Sequence, residues 1–219
     1  VWHTGMYVMA AWFLLMNLRF MLRLRRSRTP YPVEGCRYPV YLAEGLPSPC
    51  LFGLLHPAIY LTPAAAESPE TLRHVLAHET THARHGDPLW SLLRCVCLAV
   101  YWFDPLVWVA AVVSRRDCEL ACDEGALQRL GEAERIPYGQ TLLRLIPVAR
   151  RPESPMLSAT TMTAGKKELK DRITRIAENR RTVGVALLAV VAAAALVCAL
   201  TFTGAKPSVP VSYTHLTLP

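Results

Sequence analysis

"HVLAHETTHARHGD", His74 to Asp87, sets four histidines and a glutamate within about four helical turns. His78 and His82 stand one turn apart on a common face, so both imidazoles can reach a single ion at about 2.0–2.1 Å. Glu79, beside the first histidine, is placed to take a proton from a water that the ion acidifies. This is the HExxH pattern of zinc peptidases. The pattern is short, and the competing reading is an ordinary polar helix face. Its surroundings have to separate the two.

Three features of those surroundings favour the metal. Ser68 offers an N-cap oxygen and Pro69 suits the first helical position, so the motif lies on a helix expected from Pro69 to Gly86. Leu72, Val75, Leu76 and His82 mark its inward face. Upstream, "YPVYLAEGLPSPCLFGLLHPAIYLTP" reads as short strands near Val40–Leu42, Cys50–Leu54 and Ala58–Leu61, as beside an extended substrate. Downstream, "RRDCELACDEGAL" carries Glu119 and Asp123 one turn apart. Glu119 can supply a third ligand and leave the fourth position for water. Asp123 can accept the free ring N–H of a liganding histidine. A solvated acidic helix paired with Arg115, Arg116 and Arg129 is the alternative, and HETTH upstream outweighs it. His74 and His85 are not assigned as ligands, and His3 and His56 receive no role. The expected ion is Zn2+, held by His78, His82 and Glu119, with Glu79 as general base.

Apolar segments flank this region. "TVGVALLAVVAAAALVCALTFTGA" (Thr182–Ala205) is long enough to cross a hydrocarbon core of about 30 Å, and residues 183–203 are read as a transmembrane helix. Residues 1–24 read as the end of another, closed by Arg23, Arg25, Arg26 and Arg28. Basic residues follow this first run, whereas a secretory signal carries them before it. "KKELKDRITRIAENRR" precedes the late helix. By the positive-inside rule both basic clusters belong in the cytoplasm, with residues 29–181 between them and an extracytoplasmic region starting at 204–210.

A third apolar stretch, Cys95–Val113, contains Asp104 and Pro105 near its middle. Proline breaks the hydrogen-bond ladder, and an unpaired aspartate is costly in lipid. If the stretch crossed the membrane once, His78 and Glu119 would lie on opposite sides and could not share an ion. It is therefore expected to return as a bent hairpin, dipping into the bilayer or packed under the catalytic helix. The fold class that follows is an α+β integral membrane protein, with a mainly helical metallopeptidase domain and a short strand region between transmembrane helices.

Composition narrows the alternatives. The chain has 219 residues, 52% of them hydrophobic, and a formal charge of +7. Its arginines concentrate beside apolar spans, where anionic headgroups account for them, and no nucleic-acid motif accompanies them, so direct nucleic-acid binding is not expected. Seven cysteines without a CxxC pair do not form a disulfide framework. The last residues, "VSYTHLTLP" (211–219), break the style of the chain and resemble a translated sequencing adapter, so they and His215 are set aside. The hydrophobic start at Val1 suggests that the opening is also cut.

Four ordered blocks, "SPCLFGLLHPAIYLTP", "HVLAHETTHARHGDPLW", "YWFDPLVWVA" and "RRDCELACDE", followed by an apolar helix, resemble the BlaR/MecR family of bacterial membrane zinc metallopeptidases. The resemblance implies a gluzincin-like catalytic domain on the cytoplasmic side of the plasma membrane. It implies His78, His82 and Glu119 as zinc ligands, Glu79 as base and Asp123 as support for a ligand. Asp104 departs from the family's asparagine before that proline. In the best-known members a penicillin-binding sensor follows the last helix, and the peptidase removes a DNA-binding transcriptional repressor. The expected partners are thus a protein substrate of that kind and the lipid bilayer, with self-cleavage in the loop Arg150–Lys167. A membrane quality-control protease and a non-catalytic zinc-bearing transducer remain as alternatives. Tyr138, His74 and the arginines after Glu119 stay open as oxyanion stabilisers.

Overall fold

The computed structural model describes residues 1–145, 160–161, 166–178, 191–196 and 198. The chain divides into two units, Val1–Arg180 and Arg181–Pro219. In the second unit, residues 191–196 and 198 are helical. Most of the expected helix 183–203, the 204–210 and 211–219 segments, and most of the loop Arg150–Lys167 lie outside the described residues.

Helix α1 (Trp2–Ser27) is long and apolar enough to cross a membrane by length and composition. Most of its apolar residues face outward, among them Tyr7, Trp12, Leu14 and Leu18. Asn17, the polar interruption, satisfies itself by donating to the Phe13 carbonyl at 2.8 Å. At its start α1 meets the reversal of a helical hairpin. A Cβ on Gly5 would sit 2.3 Å from the Trp102 ring, so a side chain there would displace the indole.

That hairpin contains the stretch Cys95–Val113. Helix α3 (Asp87–Val100) runs to a reversal at Tyr101–Asp104, and α4 (Pro105–Leu130) returns. The sequence explains the break. Pro105 occupies the first turn of α4, where its missing N–H costs nothing, and Asp104 caps that turn by accepting from the Leu106 amide at 2.9 Å. Phe13 of α1 packs with Cys95, Leu98, Ala99 and Ala111 of the two arms. The outer face of α3 leaves Leu89, Trp90, Leu92, Leu93 and Val96 exposed.

Five strands form one small sheet, in the order β1 (Arg28–Pro30), β2 (Val40–Ala43), β4 (Ala58–Leu61), β3 (Cys50–Phe52) and β5 (Thr160–Thr161). Strands β2 and β4 are parallel, and the other pairs are antiparallel. The strand expected to run from Cys50 to Leu54 stops at Phe52, because Gly53 turns with φ +115° and a Cβ there would lie 2.5 Å from the His56 carbonyl oxygen. Strands β1 and β5 are too short to leave a periodic signal. The whole of β4 is buried, and Ile59 and Leu61 pack with Leu51 and with Val75 of helix α2.

Helix α2 spans Pro69–His85. Ser68 Oγ accepts from the Thr71 amide at 3.1 Å, and Gly86 ends the helix in the left-handed region, φ 71° and ψ 28°. Its inward face carries Val75, His78, Glu79 and His82, while Leu72 and Leu76 are half-buried. Helices α5 (Arg135–Leu145) and α6 (Lys166–Glu178) close the other side. Tyr138, Leu142, Leu169 and Ile176 pack there against Ala126 and Leu127 of α4.

Candidate metal centre

Helix α2 projects His78 and His82 from successive turns, and their Nε2 atoms face each other at 3.0 Å. Two N–H groups cannot point at one another, so at least one of these nitrogens presents a lone pair. The far side of each ring shows how. His78 Nδ1 lies 2.8 Å from the Tyr138 hydroxyl and 3.2 Å from Asp123 Oδ1, and His82 Nδ1 lies 2.6 Å from Asp87 Oδ2. The Tyr138 hydroxyl donates to Asp123 Oδ1 at 2.8 Å, so its oxygen accepts from His78. Both rings then carry a proton on Nδ1, the arrangement in which each Nε2 can serve as a ligand atom.

Helix α4 brings Glu119 to that point. Its Oε2 lies 3.6 Å from His78 Nε2 and its Oε1 lies 3.7 Å from His82 Nε2. One ligand atom from each of the three residues falls within 4.8 Å of the others, and all three residues are buried. Two imidazole nitrogens and a carboxylate oxygen are a donor set that suits zinc with a position left open. Both oxygens of Glu79 and Oε2 of Glu119 are buried without a hydrogen bond of normal geometry, an arrangement that a cation and its water would relieve. On chemistry and on these orphaned atoms, the residues present fit the ion.

Close helix packing makes the cluster possible. A Cβ on Gly125 would sit 2.7 Å from Thr81 Cγ2, so the missing side chain lets α4 approach α2 nearly two turns beyond Glu119. The alternative of a solvated acidic helix paired with Arg115, Arg116 and Arg129 does not describe these carboxylates. Glu119 and Asp123 are each 3% exposed, and their cation is Arg172 of α6. Arg172 donates from Nε and Nη2 to the two oxygens of Asp123, both at 2.7 Å, and its Nη1 lies 3.0 Å from Glu119 Oε2.

The electrostatics drive the two site glutamates apart. Burial pushes the Glu79 carboxyl up to about 8, against the pull of His82. Glu119 is equally buried, but Arg172 and the two histidines more than offset the desolvation and hold it down at about 2. Asp123 is lowered in the same way, with burial opposed by Arg172 and His78. Separated carboxyl pKa values of this kind are how a protein assigns one group to hold charge and another to move a proton.

Two further groupings of potential ligands border the cluster. Asp87 and Cys122 both touch His82 Nδ1, with the Cys122 thiol donating to Asp87 Oδ2 at 3.2 Å. Burial and the neighbouring carboxylates raise that thiol far above its ordinary range, so it acts as a packed donor. His74 and Glu134 lie near the exposed Glu70. His74 has both nitrogens engaged, by Thr141 at 2.8 Å and Glu134 at 3.0 Å. Tyr138 is fully buried behind the His78 ring, so neither His74 nor Tyr138 presents a free donor for an oxyanion.

His78, Glu79, His82, Glu119 and Asp123 thus stand in one cluster. Asp87, the hydrogen-bonding role of Tyr138 and the fork of Arg172 were not read from the sequence. Asp87 had a signal, since it follows the left-handed Gly86 that folds the chain back onto the helix end. Tyr138 and Arg172 lie on helices with no motif and reach the site only through tertiary packing.

The chain is similar in sequence to known proteins. The model of the BlaR1 peptidase M56 family matches residues 1–176. The regulatory protein BlaR1 of Bacillus licheniformis is 31% identical over 130 residues, which is 59% of this chain and 22% of that protein. The methicillin resistance mecR1 proteins of Staphylococcus aureus and Staphylococcus epidermidis are each 24% identical over 137 residues, 62% of this chain and 23% of theirs. The chain therefore spans less than a quarter of the length of these relatives. Because the family match takes in the sheet, the HETTH helix and the helices that supply Glu119, Asp123 and Arg172, the chain belongs to the BlaR1 peptidase M56 family.

Proposed function

We propose that this chain is a membrane-embedded zinc metalloendopeptidase with a cytoplasmic active site, which hydrolyses peptide bonds of a repressor-type regulatory protein and of its own chain in signal transduction. The observation that carries the reading is Glu79: a fully buried carboxyl, its pKa pushed up by that burial, next to the convergent Nε2 atoms of His78 and His82. A structural metal site has no use for such a group.

Zinc, when bound by His78, His82 and Glu119, supplies a Lewis acid that polarises the scissile carbonyl and lowers the pKa of a water towards about 7. Glu79 takes the water's proton on a carboxylate oxygen and delivers it to the departing amide nitrogen. Asp87 and the Tyr138–Asp123 pair hold the histidine rings in the tautomer that keeps Nε2 free. An extended substrate takes the place beside β3 that Thr160 and Thr161 hold, pairing with a strand whose Leu51 packs in the core with Val75 of the HETTH helix. Thr160 and Thr161 of the chain already pair with Leu51 and Cys50 on that edge, which supports self-cleavage in the segment Arg150–Lys167.

The apolar, outward-facing α1, the arginines at its end and the exposed apolar face of α3 support a bilayer around α1 and the hairpin, with the basic end in the cytoplasm. The relatives are named as a regulatory protein and as methicillin resistance proteins, which supports signalling in an antibiotic response over general quality control.

The test is cleavage by the purified full chain in detergent micelles, loaded with Zn2+, of itself and of an unfolded protein. Cuts that disappear with a chelator and in Glu79→Gln are expected. Cuts that persist in Glu79→Gln would contradict the reading.

A further inference from the structure

Arg172 is fully buried, although it belongs to a helix whose sequence is otherwise strongly charged. Its fork takes both oxygens of Asp123, and Asp123 in turn receives the Tyr138 hydroxyl that orients His78. Its remaining arm, Nη1, lies 3.0 Å from Glu119 Oε2, yet neither atom makes a hydrogen bond of normal geometry. One side chain thus touches the carboxylate behind one histidine and the carboxylate that faces both. The contact falls on Oε2 and leaves Oε1 facing His82.

We propose that Arg172 is a positioning residue of the metal site, through which the docking of α6 and the loading of the metal are coupled. The inference rests on the reading of His78, His82 and Glu119 as ligands. An arginine that only neutralised two buried carboxylates would be replaceable by lysine, which carries the same charge. Positioning depends instead on the planar fork, because a single ammonium cannot hold both oxygens of Asp123 in plane while reaching Glu119. Coupling is reciprocal: if docked α6 orders the ligands, a bound metal must stabilise docked α6. A second link between α4 and α6, the partly exposed ion pair of Arg116 with Asp171, includes neither a ligand nor Asp123 and serves as a control for the loss of a surface charge contact between the two helices.

The experiment uses the full chain in detergent micelles, as wild type, Arg172→Lys, Arg116→Gln and Glu119→Gln. Zinc affinity is read by chelator competition, ligand geometry by the visible spectrum of bound Co2+, and α6 docking by amide hydrogen exchange over residues 167–178. In the wild type, Zn2+ slows exchange in α6. In Arg172→Lys that slowing is lost, the cobalt spectrum changes and zinc affinity falls by about tenfold or more, while Arg116→Gln keeps all three.

A wild-type cobalt spectrum and unchanged zinc affinity in Arg172→Lys would overturn the inference. So would α6 exchange in the wild type that is indifferent to zinc, a result that does not depend on any variant folding. If Glu119→Gln weakens zinc binding and Arg172→Lys does not, the ligand reading stands and the role of Arg172 falls. If neither has an effect, the ligand reading itself falls.

Discussion

Asp87 Oδ2 accepts from His82 Nδ1 at 2.6 Å, across the left-handed turn that joins the HETTH helix to the hairpin. The carboxylate is 3% exposed and stays ionised, since its bonds from His82 and Cys122 more than offset burial and lower its pKa. It fixes the ring's tautomer and sets its angle.

Replacing Asp87 by asparagine keeps the size and removes the charge, and an amide presenting its NH2 would favour the wrong tautomer. Zinc affinity of Asp87→Asn should fall by about 10- to 100-fold, the usual loss for an outer partner of a liganding histidine. Chelator competition on the purified chain measures it. Wild-type affinity would mean that His82 is not oriented from Nδ1.

Stability of the metal-free chain should carry the signature of Glu79. Its folded-state pKa, about 8, lies above the ordinary 4.5, so the folded state binds the proton more tightly than the unfolded state. The stabilisation is complete below about 4.5 and is lost as pH rises through about 8, on the order of a few kcal/mol at most. Glu79→Gln removes this titration. Thermal unfolding of metal-free wild type and variant from pH 5 to 9 should therefore diverge with rising pH, the variant becoming relatively more stable. Parallel profiles would show that the carboxyl is not held in an apolar site.

Gly125 should tolerate no side chain while Thr81 faces it. A Cβ at 2.7 Å from Thr81 Cγ2 pushes α4 away from α2, so Gly125→Ala should destabilise the chain by about 1–3 kcal/mol and weaken metal binding. Adding Thr81→Ser removes the opposing methyl and keeps the hydroxyl that donates to the Ala77 carbonyl, and should restore much of both. Denaturant unfolding and zinc titration of the three proteins check this. A double variant no better than Gly125→Ala would place the strain elsewhere.

Local chemistry made part of this arrangement legible. Ser68, Pro69 and Gly86 bound helix α2 because capping and the left-handed stop are decided within a few residues, and the spacing of His78 to His82 and of Glu119 to Asp123 puts each pair on one face. The reversal at Asp104–Pro105 follows from the same local rules. What sequence spacing does not carry is the third dimension. Tyr138 reaches His78 across 60 residues, and Arg172 reaches Asp123 across 49, from helices whose own patterns speak only of packing and charge. Strand β5 consists of two β-branched threonines, too few to leave a periodic signal, paired with the edge of β3.

The decisive comparison is of new protein N-termini in bacterial cells producing the wild-type chain and its Glu79→Ala variant, with and without a cell-wall antibiotic. A signalling peptidase predicts antibiotic-dependent cuts in a DNA-binding repressor and in residues 150–167 of the chain itself, all absent from the variant. Constitutive cuts in unrelated membrane proteins would point to quality control instead. Identical N-termini in both strains would contradict the catalytic reading and leave the HETTH helix as a metal site without proteolysis.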